Sequence, residues 1–180
     1  LLVRLVNRST GPQWRLADTF GVLGFCIWAA VSARQPLILV VTAGAFTLDA
    51  TLKEPLRRHY FAAAACLPVL IWMLLGNAGL MAGDLTALDW GLIGVFAGGI
   101  VLMVATSSEP VSYCDTSPER LDRVRVNAGL VIGWLAAFQA LLTDGPSAWV
   151  ETPIWACMIA VLVSFADRIR KRTPRSTGVG

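Results

Sequence analysis

Histidine occurs once in these 180 residues, at His59, and cysteine four times, at Cys26, Cys66, Cys114 and Cys157, with no C-x-x-C pair. A Cys/His metal site, bis-histidine haem ligation within the chain and dithiol redox chemistry on such a pair are therefore excluded. Charge is also scarce, at 15% of residues against about 25% in ordinary soluble domains. So few charges cannot coat the surface of a chain that is 56% apolar, which excludes a soluble globular domain, and the same apolar content excludes disorder. Catalytic signatures are missing too: there is no H-E-x-x-H, no G-x-S-x-G and no Asp-rich diphosphate motif.

What the sequence has is long apolar runs, with a mean hydropathy of +0.63. A helix rising 1.5 Å per residue needs about 20 apolar residues to cross a hydrocarbon layer about 30 Å thick. Six runs approach that length, at 16–33, 36–51, 60–82, 89–106, 126–143 and 153–166. The expected fold is all-α: a single transmembrane domain over 1–180, a bundle of six helices in three hairpins, with a loop at 107–125 and a basic tail at 167–180. Only Arg34 and Gln35 separate the first two runs, and the second is short, so parity needs an independent argument.

Basic residues supply it, because short cytoplasmic segments collect Lys and Arg. With the N-terminus inside, Arg4, Arg8, Arg15, Lys53, Arg57, Arg58, Arg120, Arg123, Arg125, Arg168, Arg170, Lys171, Arg172 and Arg175 share one side. That is 14 of the 15 basic residues, leaving Arg34 outside with Asp84, Asp89, Asp144 and Glu151. Six crossings with both ends cytoplasmic follow, in what is expected to be a bacterial inner (cytoplasmic) membrane. No secretory signal is expected, since the first run leads into a polytopic pattern. Cys114 then lies in the reducing cytosol, while Cys26, Cys66 and Cys157 read as core fillers.

Punctuation fits the same map. Pro36, Pro55 and Pro153 sit at or just before the start of a run, where a missing N–H is harmless. Thr152 suits an N-cap, and Thr116 with Glu119 has capping-box spacing, placing a helix start near Pro118 with Glu119–Arg123 and Asp122–Arg125 pairs along its exposed turns. Trp14, Trp90 and Trp149 mark the interfaces, whereas Trp28, Trp72 and Trp134 fall deeper, against helices or lipid.

Asp49 is the ionisable residue singled out within a run, because an intramembrane carboxylate is costly unless paired or functional. It is expected to pair with Lys53 at headgroup depth, or else to form a proton or ion site with Thr42 and Thr47. His59 reads as an interface residue. Asn77, Asn127 and Gln139 are candidate polar contacts between helices, and Pro68 should kink its helix by freeing the Ala64 carbonyl. Gly94 and Gly98, and Gly129 and Gly133, form G-x-x-x-G pairs expected to pack the fourth and fifth crossings or to receive a partner. Lys53, Arg57, Arg58, Arg168, Arg170, Lys171 and Arg172 are expected on lipid headgroups.

No metal, cofactor or nucleic acid is expected; the partners are the bilayer and other membrane subunits or further copies of the chain. The leading expectation is a non-catalytic membrane subunit or scaffold. A small transporter or channel subunit, with a polar path near Asp49 and the Pro68 kink, is the alternative, and a lipid-modifying membrane enzyme working at the Ser107–Arg125 loop is a third.

Overall fold

The computed structural model describes residues 2–7, 15–52, 55–76, 78, 84–106, 122–145, 147 and 152–172, and among them every regular element is a helix. In order these are α1 (Leu2–Asn7), α2 (Leu16–Ala33), α3 (Leu37–Thr51), α4 (Arg58–Leu75), α5 (Ala87–Thr106), α6 (Arg123–Asp144) and α7 (Thr152–Arg172). Four of them, α2, α4, α5 and α6, are long and apolar enough to cross a membrane, while α3 and residues Trp155–Asp167 of α7 are shorter apolar helices. By length and composition those four helices could cross a membrane, which suggests a membrane protein. Its outer surface agrees: Phe20, Phe25, Trp28, Phe61, Trp72 and Val95 are all exposed, as lipid-facing side chains are.

Local chemistry explains the helix ends. Asp18 accepts from the Arg15 N–H at 2.8 Å, closing the start of α2. Arg34 takes a left-handed conformation at φ 55°, and the Gln35 N–H returns to the Ala30 carbonyl, so α2 reverses into α3 within three residues. Thr86 and Asp89 cap α5 reciprocally, through Thr86 N–H to Asp89 Oδ2 at 2.8 Å and Asp89 N–H to Thr86 Oγ1 at 3.3 Å. The Asp122 carboxylate accepts from the Val124 N–H and starts α6.

Several expected bounds move. Helix α4 closes at Leu75, short of residue 82, with the Gly76 N–H returning to the Trp72 carbonyl. Helix α7 runs on to Arg172, so the first part of the expected basic tail is helical. Helix α1 was not expected; it lies against α3 and α6, with Leu5 and Val6 fully buried. Thr116, Pro118 and Glu119 lie outside the described residues, as do Lys53, Asn77, Trp14, Trp149 and Cys114.

Two apolar cores share α6. One joins α1, α2, α3 and α4 to Ile132 of α6; the other joins α5 and α7 to Ala137 and Leu141. In the first core, buried residues recur every seven positions: Thr19 and Cys26 on α2, Thr42 and Asp49 on α3, His59, Cys66 and Met73 on α4, Arg125 and Ile132 on α6. Seven-residue steps keep one stripe of each helix facing its neighbours, as in left-handed bundles. Polar groups on those stripes therefore meet in layers.

Candidate functional site

At one end of this core the layer is ionic. Asp49 lies in the last turn of α3, His59 in the first turn of α4, Arg125 in the first turn of α6 and Thr19 in the first turn of α2. The α3–α4 turn sets His59 in place: Pro55 interrupts the helix, and the His59 N–H closes the new one on the Leu56 carbonyl at 2.8 Å. Asp49 and His59 are each 0% exposed, and Thr19 and Arg125 are each 5% exposed.

The carboxylate is gripped at both oxygens. Asp49 Oδ1 accepts from Arg125 Nη1 at 2.8 Å, and Oδ2 lies 2.7 Å from His59 Nδ1. The same Arg125 nitrogen donates to the Val6 carbonyl at 3.1 Å, tying α1 to the site. On the far side of the ring, His59 Nε2 meets the Thr19 hydroxyl at 3.1 Å, and that hydroxyl also reaches the Arg15 carbonyl at 3.3 Å. Phe46 meets the imidazole edge-on, with ring centres 5.1 Å apart. Five helices thus converge on one carboxylate and one imidazole.

The opposite end of the same helices is more open, and its contacts run through side-chain amides. Gln139 Nε2 donates to Gln35 Oε1 at 3.2 Å, and Gln35 Nε2 donates to Asp144 Oδ1 at 2.8 Å. Gln35 faces Gln139 and Asp49 faces Arg125, so both partners advance fourteen residues (35 to 49, 139 to 125) in opposite directions. This is an antiparallel seam with roughly 20 Å between its two polar anchors. Thr42 and Ile132 hold the midpoint, both buried. Thr42 donates to the Ile38 carbonyl of its own helix at 2.7 Å.

The site residues expected from sequence divide accordingly. Asp49 belongs to the site, fully buried between helices and not at a solvated edge, with His59 and Arg125 as partners. His59, expected in a solvated basic turn, is one of the most buried side chains. Arg125 does not pair with Asp122 on an exposed turn; it turns inward, and Asp122 caps the helix instead. Thr42 lies two turns from Asp49 and Thr47 is exposed, so neither completes the site. Gln139 makes the interhelical contact expected of it, and Asn127 is half-buried on α6.

The glycines also divide. A Cβ at Gly94 or Gly98 would meet nothing within 4 Å, so this pair does not pack α5 on α6. The close approach on α5 is at Gly99, where a Cβ would lie 2.7 Å from Leu162 Cδ2 of α7. Gly129 is buried and Gly133 faces Val3, so the second pair receives α1. Arg57 is exposed, Arg58 half-buried and Arg170 exposed near Asp167; the side chains of Arg168, Lys171 and Arg172 lie outside the described residues.

Thr19 and Gln35 have no site role in the sequence reading, while Arg125 is read there as an exposed partner of Asp122 and His59 as an interface residue, with a proton relay as its lesser alternative. Seven-residue spacing was the signal that held them, since each shares a stripe with a buried residue already in view. Among the described residues no three His, Cys, Asp or Glu side chains come together as a metal site. What the ionic layer can do is hold a proton: it has an imidazole between a carboxylate and a hydroxyl, beside a permanent cation. Comparison with protein-family models, characterised proteins and solved structures finds no match to this chain.

Proposed function

We propose that this chain is a six-crossing protein of a cell's inner (cytoplasmic) membrane that carries out proton-linked transport, alone or as the membrane subunit of a transporter. One observation carries the reading: Asp49, 0% exposed, bonded to His59 and Arg125 from two other helices. Ionisable groups inside a helical membrane bundle are expensive and typically mark ion or proton pathways. The layer lies at the bundle end where α2, α4 and α6 begin and α3 finishes, the end that carries Arg15, Arg57, Arg58 and Arg123, which supports a cytoplasmic placement.

A second reading, a non-catalytic subunit that holds partners in the bilayer, is favoured by α5. Gly91, Gly94 and Gly98 leave a smooth strip there that, among the described residues, nothing covers within 4 Å of an added Cβ.

The test is a rapid pH jump on proteoliposomes adsorbed to an electrode. Wild-type chain should give a transient charge movement that Asp49→Asn abolishes while inserting and sizing normally. No charge movement in the wild type, or an equal one in Asp49→Asn, removes the transport reading.

A further inference from the structure

Resting on the proton-linked reading, we infer that His59 is the group that gains and loses the proton, and that the Thr19 hydroxyl is the switching partner that makes both states possible. The argument follows from which atoms can change role. Asp49 Oδ1 accepts from a guanidinium N–H, which is always a donor, and Oδ2 faces His59 Nδ1, which can bond a carboxylate only by donating. Two donors, one of them a permanent cation, are best matched by a carboxylate with neither oxygen protonated. The remaining ring nitrogen, Nε2, has the opposite property, because its partner is a hydroxyl that can donate or accept.

Both arrangements have their partners in place. With a neutral ring, Nδ1–H donates to Asp49 and the Thr19 O–H donates to Nε2. With a protonated ring, Nε2–H donates to Thr19 Oγ1, and the hydroxyl turns its hydrogen to the Arg15 carbonyl, 3.3 Å away. One bond rotation accommodates one proton, and no buried polar atom of the triad is stranded in either state.

The other charged groups are arranged around that switch without replacing it. Arg125 shares the Asp49 carboxylate with the ring, Arg58 precedes it on α4, and Asp18 beside Thr19 is turned to the Arg15 N–H. On the side of α1 the site meets the Val6 carbonyl, which accepts from Arg125. Thr19 is a positioning residue here: it touches the proton-bearing atom but does not keep the proton.

His59 is the chain's one histidine, so labelling histidine with a nitrogen isotope reports this ring alone. The experiment is solid-state NMR of the full chain in lipid bilayers across a pH series. The neutral ring should carry its proton on Nδ1, and lowering the pH should protonate Nε2. Thr19→Val should lower the ring's proton affinity about tenfold, because the protonated form loses the stronger, charge-assisted bond. Thr19→Ser should restore it.

A neutral ring protonated on Nε2, a ring that never titrates while the chain is folded, or a Thr19→Val titration matching wild type would each overturn the assignment. So would a protonated Asp49 carboxyl, seen by infrared absorption, beside a ring that stays neutral. If the ring titrates as described but a pH jump moves no charge, the proton site stands and the transport reading fails. If charge moves while the ring stays in one protonation state, the transport reading stands and this assignment falls.

Discussion

Asp49 and Arg125 form a buried ion pair at 2.8 Å although 76 residues separate them in the chain. The contact fastens the end of α3 to the start of α6, and through the Val6 carbonyl it fastens α1 to both. Buried charges are costly to desolvate, so the pair adds little net stability while making either partner hard to remove alone. Its main effect is on register: seven-residue slips along α3 or α6 would bring Thr42 or Ile132 to a charged partner.

His59 is the first place to test this tie. His59→Phe keeps the ring against Phe46 but takes the donor from Asp49 Oδ2 and the partner from Thr19, and should cost about 1.5–3 kcal/mol. Thermal unfolding in detergent measures it. An unchanged Tm would mean that the imidazole contributes shape alone.

The amide contact at the other end should matter much less. Gln139→Leu removes a single amide contact to Gln35, and interhelical hydrogen bonds in membrane proteins average about 0.6 kcal/mol. The same unfolding assay should show a loss below about 1 kcal/mol. A loss equal to that of His59→Phe would refute the proposed asymmetry between the two ends.

The α5 glycines should respond oppositely to the same change. Gly99→Leu must displace Leu162 and should cost about 1–3 kcal/mol by overpacking, with Leu162→Ala partly relieving it. Gly98→Leu meets open space and should leave the monomer's stability unchanged. Loss of stability in Gly98→Leu together with loss of a co-purifying subunit would favour the scaffold reading.

How far the sequence could be read depended on which signal each feature left. The apolar segments were legible from length and hydropathy, and α2 falls on its expected bounds, Leu16–Ala33, although only Arg34 and Gln35 divide its run from the next. Asp49 was visible as a charge within an apolar run, but its partners were not. Arg125 sits among Arg120 and Arg123, and His59 follows Arg57 and Arg58, so both looked like parts of solvated basic clusters. Only the packing of α3, α4 and α6 turns one member of each cluster inward. Helix α1 was missed because six residues carry too little periodicity to register, and its burial depends on the space over Gly133.

The measurement that bears most directly on the account is a double-mutant cycle on Asp49→Asn and Arg125→Gln, read as unfolding free energy in detergent. Each single variant leaves one charge of the pair buried without the other and should lose about 3–5 kcal/mol. The double variant should recover much of that, giving a coupling of about 2 kcal/mol or more. Additive losses, with coupling near zero, would show that the two residues do not act as a pair and would contradict the ionic layer at the centre of this description.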